Sequence, residues 1–511
     1  MNIVVGDNEA GKSTLLEALA LALTGRINGR WASEELNPYW FHRPTVLDFF
    51  ARQHSESVPL PEIHIEVYLS PDIDDLHELR GVHNTAKTDC PGVALDVIPA
   101  SDYGDEFRDY LAQDPPWVLP VEYYDVEWRH FGDRSLTRRP KELATSVIDS
   151  RTIRSSSGVD YHTREMLSEN LDGKERAMIS LAHRRSRQEI TDGPLSTINA
   201  RIASENAKLH HNPVGLQMDQ TSRSSWEVGV VPQVADIPFA MAGQGQQAAI
   251  KVSLAMSRTA HATFVLIEEP ENHLSHTSLT RLVARIEELA EDDQQLFVST
   301  HSSFVLNRLG LDKLVLLSNG SAAKLTDLSD ETVSYFRRLS GYDTLRLVLA
   351  SRAVLVEGPS DEILFQRAYR DATGKDPADD GIDVIGMGGL TSRRALELCA
   401  ELDRDVVVLQ DNDTRGVDEI RGEVADYLLP KRRLLFVSNP DHGRTLEPQM
   451  VAANNPAVLR TALGLTDRAD LTTWMTNNKT EAALRLLDSE AAVEYPSYIT
   501  EAIEHLTTCQ S

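Results

Sequence analysis

The stretch Asn2-Ile3-Val4-Val5-Gly6-Asp7-Asn8-Glu9-Ala10-Gly11-Lys12-Ser13-Thr14 decides how the rest of the chain is read. Gly6, Gly11, Lys12 and Ser13 fill every fixed position of the phosphate-binding pattern GxxxxGK[ST]. An apolar strand precedes the pattern and LLEALALAL continues it as a helix, the context a P-loop requires. The glycines let the backbone curl so that its N–H groups face phosphate oxygens, and the helix N-terminus adds a favourable dipole. Lys12 would neutralise the β- and γ-phosphates of ATP and the Ser13 hydroxyl would ligate a magnesium ion, with Asn8, Gly11 and Thr14 in the same nucleotide-binding turn.

A P-loop needs acids on a partner strand. Phe264-Val265-Leu266-Ile267 is a short β-branched and aromatic run that ends in Glu268-Glu269-Pro270-Glu271-Asn272. Glu268 would hold magnesium through water, and Glu269 would act as the base that polarises the attacking water. Further on, Leu296-Phe297-Val298 leads into Ser299-Thr300-His301, which would carry His301 toward the γ-phosphate. Upstream, Gly243-Gln244-Gly245 forms a turn ahead of the helical stretch AAIKVSLAMSRTA, a second anion-binding device. Taken in order, these four features resemble an ABC-type ATPase head. The resemblance implies that Gly243 and Gly245 cap the ATP of an opposite subunit, so that the chain works as a homodimer or higher homo-oligomer. More than 200 residues separate the P-loop from this turn. A gap of that size is similar to the RecF, OLD and structural-maintenance-of-chromosomes branch, where arms or dimerisation elements are inserted.

From about Asp160 to Leu209 the chain is polar, carries apolar residues at helical spacing and contains one proline, Pro194. That pattern predicts a helical insert, read here as a dimerisation element. Between residues 62 and 130, alternating segments such as IHIEVYL and PVEYYDVEW predict a β-rich subdomain. No internal repeat or low-complexity tract is visible.

After Leu345 the pattern restarts. Ala353-Val354-Leu355-Val356 ends in Glu357-Gly358-Pro359-Ser360-Asp361-Glu362 ahead of a helix, and Val406-Val407-Val408-Leu409 ends in Gln410-Asp411-Asn412-Asp413. Strands alternating with helices predict a parallel sheet whose ligand site lies at the strand carboxyl ends. Glu357, Asp361, Asp411 and Asp413 should therefore converge. Clustered carboxylates repel one another unless a cation sits between them, and oxygen donors without His or Cys select Mg2+ or Mn2+. A pair of such ions activates water and stabilises the leaving oxygen of a phosphodiester. With Gly386, Gly388 and Gly389 between the two acidic turns, the segment resembles a TOPRIM domain.

An ABC-type head followed by a C-terminal TOPRIM domain resembles the OLD (overcoming lysogenization defect) family of endonucleases, a relative of the nuclease subunit of Gabija-type defence systems. The resemblance implies a DNA substrate, two divalent ions at the TOPRIM site and one with ATP, Glu447 as a further metal ligand and Lys479 as the catalytic lysine. Gabija kinship adds a helicase partner and a role in phage defence or DNA repair. The implied fold class is α/β, with an ATPase head over 1–154 and 211–344, a helical insert over 155–210 and a Rossmann-like TOPRIM domain over 345–511. Departures from the family pattern are also present. Only five residues precede Gly6, which points to a truncated start, and His273-Leu274-Ser275-His276 stands where the family has HLHP.

Composition bounds the alternatives. A chain of 511 residues with 41% hydrophobic and 25% charged content is globular, and no run reaches the roughly 18 apolar residues of a membrane helix. No basic segment precedes the first strand as in a signal peptide, so a cytoplasmic protein without membrane attachment is expected. Cys90, Cys399 and Cys509 lie too far apart for a disulfide framework or a thiolate zinc site. The net charge is −27, with 18 basic against 28 acidic residues from Leu345 onward. If the substrate is DNA, contact must come from bound metal ions or from local patches such as Arg134 to Lys141, Arg184 to Arg187 or Lys431 to Arg433, each of which reads at least as well as a solvated face. The competing reading is a RecF-like ATP-gated DNA clamp or repair ATPase with an inactive TOPRIM domain. Topoisomerase and primase readings lack the gating tyrosine segment and template module they require.

Overall fold

A computed structural model describes residues 1–27, 30–52, 58–71, 74–112, 118–149, 167, 171–206, 214–219, 226–231, 233–234, 236–243, 246–247, 250, 262–272, 274–289, 294–318, 321–325, 328–339, 344–466 and 470–508. The chain divides into two compact units, Met1–Lys12 with Ser299–Ser511, and Ser13–Val298. The elements that position the candidate sites begin, in chain order, with β1 (Asn2–Gly6), α1 (Lys12–Thr24), β2 (Ile63–Tyr68), β3 (Cys90–Pro99), β4 (Tyr124–His130) and β5 (Thr145–Asp149). Next come α2 (Gly173–Asp192), α3 (Pro194–Asn206), β6 (Phe264–Glu268), β7 (Gln295–Ser299), α4 (Ser303–Leu309), β8 (Leu314–Ser318), β9 (Ser321–Lys324) and α5 (Asp330–Arg338). The C-terminal series is α6 (Thr344–Leu349), β10 (Arg352–Val356), α7 (Pro359–Thr373), β11 (Ile382–Gly386), α8 (Ser392–Glu401), β12 (Asp405–Gln410), β13 (Arg433–Val437), α9 (Leu446–Ala453), α10 (Lys479–Asp488) and α11 (Ser497–Thr508).

In the unit Ser13–Val298, the alternating segments form an antiparallel meander. Strand β3 pairs with β2 from Ile63↔Val97 to Tyr68↔Gly92 and with β4 from Val93↔His130 to Pro99↔Tyr124. Leu95, Val97 and Trp128 share a core with Leu21 of α1, so the sheet holds the distal end of the helix that the P-loop starts. Trp128 Nε1 donates to the Ala22 carbonyl at 2.8 Å. The helix stops at Gly25, whose φ of +66° suits glycine and where a Cβ would lie 2.7 Å from the Trp128 ring. Strands β5 and β6 pair in parallel from Thr145↔Phe264 to Asp149↔Glu268, with β7 on the other side of β6. All of β6 is buried, as expected of an apolar strand covered on both faces.

Within the expected insert, α2 and α3 form two consecutive helices, and residues 151–166, 168–170 and 207–213 lie outside the described residues. Asp172 caps α2 by accepting from the Lys174 and Glu175 amides, while the Glu175 side chain accepts from the Asp172 amide. Pro194, the one proline of this stretch, opens α3, where its missing N–H costs nothing. No residue of α2 is buried, and Met178, Leu181 and Ile190 are exposed.

In the other unit, β1 pairs in parallel with β8 from Ile3↔Leu314 to Gly6↔Leu317, and β9 turns back along β8. The C-terminal sheet is fully parallel, in the order β11-β10-β12-β13. On one face Val354, Val356, Val407 and Leu409 pack with Leu364, Phe365 and Tyr369 of α7 and Ile503 of α11. Val406 and Val408 point to the opposite face, where α8 packs on β12 and buries Leu396, Leu398 and Cys399. Coverage on both faces explains why these strands read as apolar runs, and parallel pairing puts their polar ends on one edge. Among the described residues no helix is long and apolar enough to cross a membrane.

Candidate functional site

At the carboxyl edge of the C-terminal sheet, β10 delivers Glu357 and the adjacent β12 delivers Asp411. The Asp411 amide donates to Glu357 Oε1 at 2.8 Å, so the two acidic turns meet directly. Asp361 stands in the first turn of α7, where the helix dipole favours an acid. Glu447, in the first turn of α9, is only 3% exposed, and Asp411 is 6% exposed. Glu447 Oε2 accepts from Thr445 Oγ1 at 2.7 Å, and its Oε1 lies 3.3 Å from Lys479 Nζ at the start of α10. The Lys479 side chain is half-exposed. Asp413 sits on the exposed rim with a φ of +47°, followed by Thr414 at +71°.

Electrostatics tie these groups together. Burial pushes Asp411 up to about 8, with Glu357, Asp361 and Glu447 adding to the rise and Lys479 opposing it. Burial likewise lifts Asp361 to about 6, reinforced by Glu357 and Glu447. For Glu357, burial raises the carboxyl above its ordinary value, the Asp411 amide pulls it back, and Asp413 and Glu447 push it up again. The Tyr498 phenol of α11, buried beneath the cluster, is raised first by burial and then by the same four carboxylates, Asp411, Asp361, Glu357 and Glu447. With one ammonium against this many acids, Asp411 and Asp361 are driven toward their neutral forms, a cost that a bound cation would remove. Hard oxygen donors with no His or Cys fit a divalent cation such as Mg2+ or Mn2+. Among the described residues, no three His, Cys, Asp or Glu side chains, as they stand, are grouped so that they could hold a metal ion.

Sequence reading missed the scaffold behind the acids. Asn412, 1% exposed, donates from Nδ2 to Ser438 Oγ at 2.9 Å and to the Gly443 carbonyl at 2.7 Å. Gln449 Nε2 donates to the same carbonyl at 2.8 Å and is bonded to the Asn439 carbonyl as well. These buried amides fix the segment that leads into Thr445 and Glu447. Only the position of Asn412 between two acids could have hinted at this. The basic run Lys431 to Arg433 is largely engaged within its own domain. Arg432 pairs with Asp403 and Asp405 at 2.7 and 2.6 Å, and Arg433 lies 3.4 Å from Asp403.

At the P-loop, Lys12 is buried and its Nζ donates to the Gly6 and Asp7 carbonyls, both at 2.9 Å. Gly6 is packed so that a Cβ would meet the Leu317 carbonyl oxygen at 2.7 Å. Gly11 has a φ of +92° with open space at its Cβ position, and Asn8 and Thr14 are exposed. Ser13 Oγ donates to Glu268 Oε1, which joins the P-loop serine to the first acid of β6. Glu269 has a φ of +44° and accepts from Asn272 Nδ2 at 2.5 Å. Non-glycine residues in the left-handed region occur in the P-loop (Glu9), after the acidic strand (Glu269) and in the second acidic turn (Asp413, Thr414), and also away from both sites at Lys87, Asp133, Asp236, Asp403 and Lys431. The Thr300 amide donates to the Val4 carbonyl at 3.2 Å, which places His301, exposed, just beyond the end of β1's neighbour segment. Gly243 accepts from the Gln246 and Gln247 amides at 2.9 Å each. Gly245 and the helix expected after it lie mostly outside the described residues.

Comparison with known proteins bears on both sites. Residues 348–413 match the family model described as overcoming lysogenization defect protein-like, TOPRIM domain. Residues 1–48 match an AAA domain, and residues 230–307 match an AAA domain model named for the AbiEii toxin of type IV toxin–antitoxin systems. The TOPRIM match contains Glu357, Asp361, Asp411 and Asp413, whereas Glu447 and Lys479 lie beyond it. The C-terminal region of the Burkholderia pseudomallei OLD protein is 20% identical, covering 32% of this chain and 100% of its own, with a TM-score of 0.26. The corresponding region of the Xanthomonas campestris pv. campestris OLD protein is 21% identical, covering 32% and 95%, with a TM-score of 0.25. An SMC head, solved with the C-winged helix domain of ScpA, is 14% identical over 64% of this chain and 90% of its own, with a TM-score of 0.29. No curated protein matches the sequence. On the strength of its family models, the chain is an α/β protein that joins AAA-type ATPase segments to a TOPRIM domain of the overcoming-lysogenization-defect family, the layout of an ATP-binding endonuclease.

Proposed function

We propose that the protein is a metal-dependent DNA endonuclease whose ATPase segments govern or position the TOPRIM site. The observation that carries this reading is the acid pocket in which the Asp411 amide meets Glu357 while Lys479 lies against Glu447. Glu357, Asp361, Asp411, Asp413 and Glu447 would hold two Mg2+ or Mn2+ ions. Divalent cations bound there supply water activation and stabilise the leaving oxygen of a phosphodiester. Lys479, half-exposed and 3.3 Å from Glu447, would stabilise negative charge on the scissile phosphate. The buried amides of Asn412 and Gln449 hold the acid-bearing segments in register so that little reorganisation is needed when substrate arrives.

At the second site, Asn8, Gly11, Lys12, Ser13 and Thr14 would bind ATP with one Mg2+, Glu268 would hold that ion, and Glu269 and His301 would act on the γ-phosphate. Gly243 and Gly245 would complete the site of a second copy, so a homodimer or higher homo-oligomer is part of the proposal. The exposed apolar residues of α2 and α3 support their role as the dimerisation insert. The division into 1–154, 155–210, 211–344 and 345–511, a cytoplasmic location, a helicase partner and a role in phage defence or repair belong to the same proposal.

Supercoiled plasmid incubated with the purified chain and Mg2+ or Mn2+ is expected to be nicked or cut, and Glu357→Ala or Asp411→Ala should lower the rate by about 1,000-fold or more, as loss of a metal ligand in a two-ion site predicts. Cutting that persists in both variants would refute the site.

A further inference from the structure

One joint links the element after the ATPase strands to the acid pocket, and all of it lies within the unit Met1–Lys12 with Ser299–Ser511. Between β11 and α8 the chain makes a turn, Met387-Gly388-Gly389-Leu390, in which both glycines have positive φ, +55° and +103°. The turn grips the acidic strand end. The Met387 amide donates to the Val356 carbonyl at 2.6 Å and the Gly388 amide to the Glu357 carbonyl at 3.4 Å. Its own position is set from outside the TOPRIM sheet by α5, because the Tyr335 hydroxyl donates to the Gly389 carbonyl.

Helix α5 is clasped to α8 at two further points. Arg394 stacks over the Tyr335 ring at 4.4 Å and donates from Nη1 to the Glu331 carbonyl at 2.6 Å. Glu397, buried, accepts from the Ser329 amide at 2.8 Å and from Thr332 Oγ1 at 2.6 Å. Helix α5 also packs on α4, and Asn307 Nδ2 of α4 donates to the Leu339 carbonyl at 3.1 Å. Helix α4, capped by Ser302, follows closely on Thr300, whose amide donates to the Val4 carbonyl of β1.

We infer that Tyr335 is a positioning residue for the TOPRIM acids: by holding the Gly389 carbonyl it fixes the double-glycine turn whose amides set the backbone of Val356 and Glu357. A glycine pair has the greatest backbone freedom of any dipeptide, so a turn built from one keeps a single conformation only when outside contacts restrict it. Tyr335 supplies such a contact, and because α5 also touches α4, a shift after His301 has a covalent and hydrogen-bonded route to Glu357. The inference rests on the metal-binding reading of the acid pocket.

The test uses the full chain, with Tyr335→Phe to remove the hydroxyl while keeping the ring, Arg394→Met as a second way to loosen the clasp, and the exposed Tyr39→Phe as control. Amide hydrogen exchange is read over residues 386–391, and Mn2+ affinity is read by electron paramagnetic resonance without substrate. Tyr335→Phe should speed exchange in that segment and weaken Mn2+ binding, each by about 3–10-fold, the factor one ordinary hydrogen bond sets, while Tyr39→Phe changes neither. Unchanged Mn2+ affinity in both clasp variants overturns the inference, whether or not exchange quickens. A parent chain that binds no Mn2+ overturns the metal-binding reading and the inference together. A parent that binds Mn2+ yet leaves plasmid intact overturns only the nuclease reading, and the affinity comparison still decides the role of Tyr335.

Discussion

The P-loop and the acid pocket use one device, a parallel strand that ends in a polar turn before a helix, but they are finished in opposite ways. At the P-loop the charged group is already satisfied by its own loop, since Lys12 donates to the Gly6 and Asp7 carbonyls. In the TOPRIM pocket the charged groups are pressed together with too few donors, and burial and repulsion lift Asp411 to about 8. On the proposed function, a nucleotide entering the first site would exchange bonds for bonds, while a cation entering the second would relieve unfavourable charge. Glu397 makes the contrast sharper. Burial alone would raise this carboxyl, but bonds from Thr332 and Ser329 outweigh it and hold it below the ordinary value. Two buried acids in one unit are thus driven in opposite directions by the number of donors they meet.

The comparison breaks most visibly at Lys12. Lys12→Ala should weaken ATP binding by about 100-fold or more, because a charged hydrogen-bonding group to phosphate is lost, while thermal unfolding of the chain stays cooperative; isothermal titration with ATP checks this. Nucleotide affinity equal to the parent's would mean that the loop is not the phosphate site. An effect of similar size is expected behind the same helix. Gly25→Ala puts a Cβ 2.7 Å from the Trp128 ring at positive φ, and should cost about 2–4 kcal/mol of stability, measured by denaturant unfolding. The smallest effect sharpens the contrast between the two buried acids. Glu397→Gln should lose about 1–2 kcal/mol near neutral pH. The sign follows from its depressed pKa: the stability from Glu397 is present above the usual Glu value and lost as pH falls through its lower value in the folded state. The variant should therefore close on the parent as pH falls below the ordinary Glu range, and an unchanged gap on acidification would show that the carboxylate charge is not what the Ser329 and Thr332 donors hold.

Much of the fold was legible because both-faces-covered parallel strands leave a plain trace, an apolar run closed by acids. Glu357 and Asp411 could be placed on one edge from that trace alone, and the alternating segments around Ile63 and Tyr124 gave the meander. Glu447 and Lys479 sit in helical first turns with no pattern of their own, so only family resemblance singled them out. Asn412, Gln449, Ser438 and Tyr335 act through contacts between segments distant in sequence, and such contacts impose no periodicity. In the Lys431 to Arg433 run, charge counting could not show how the cations are partnered. Two of its three cations are taken up by Asp403 and Asp405, which the sequence places nearly 30 residues away.

Strand β1 finds its partner very late. Val4 pairs with Val315, so the first apolar segment leaves the ribosome about 300 residues before β8 exists. At synthesis speeds of about 5–20 residues per second, that is a wait on the order of 15–60 s. During it, an unpaired Ile-Val-Val edge is open to the wrong strands. Folding of the P-loop turn therefore waits for β8, which is made while the C-terminal third of the chain is still to come, and its yield in a cell should depend on chaperones that shield β1 in the meantime.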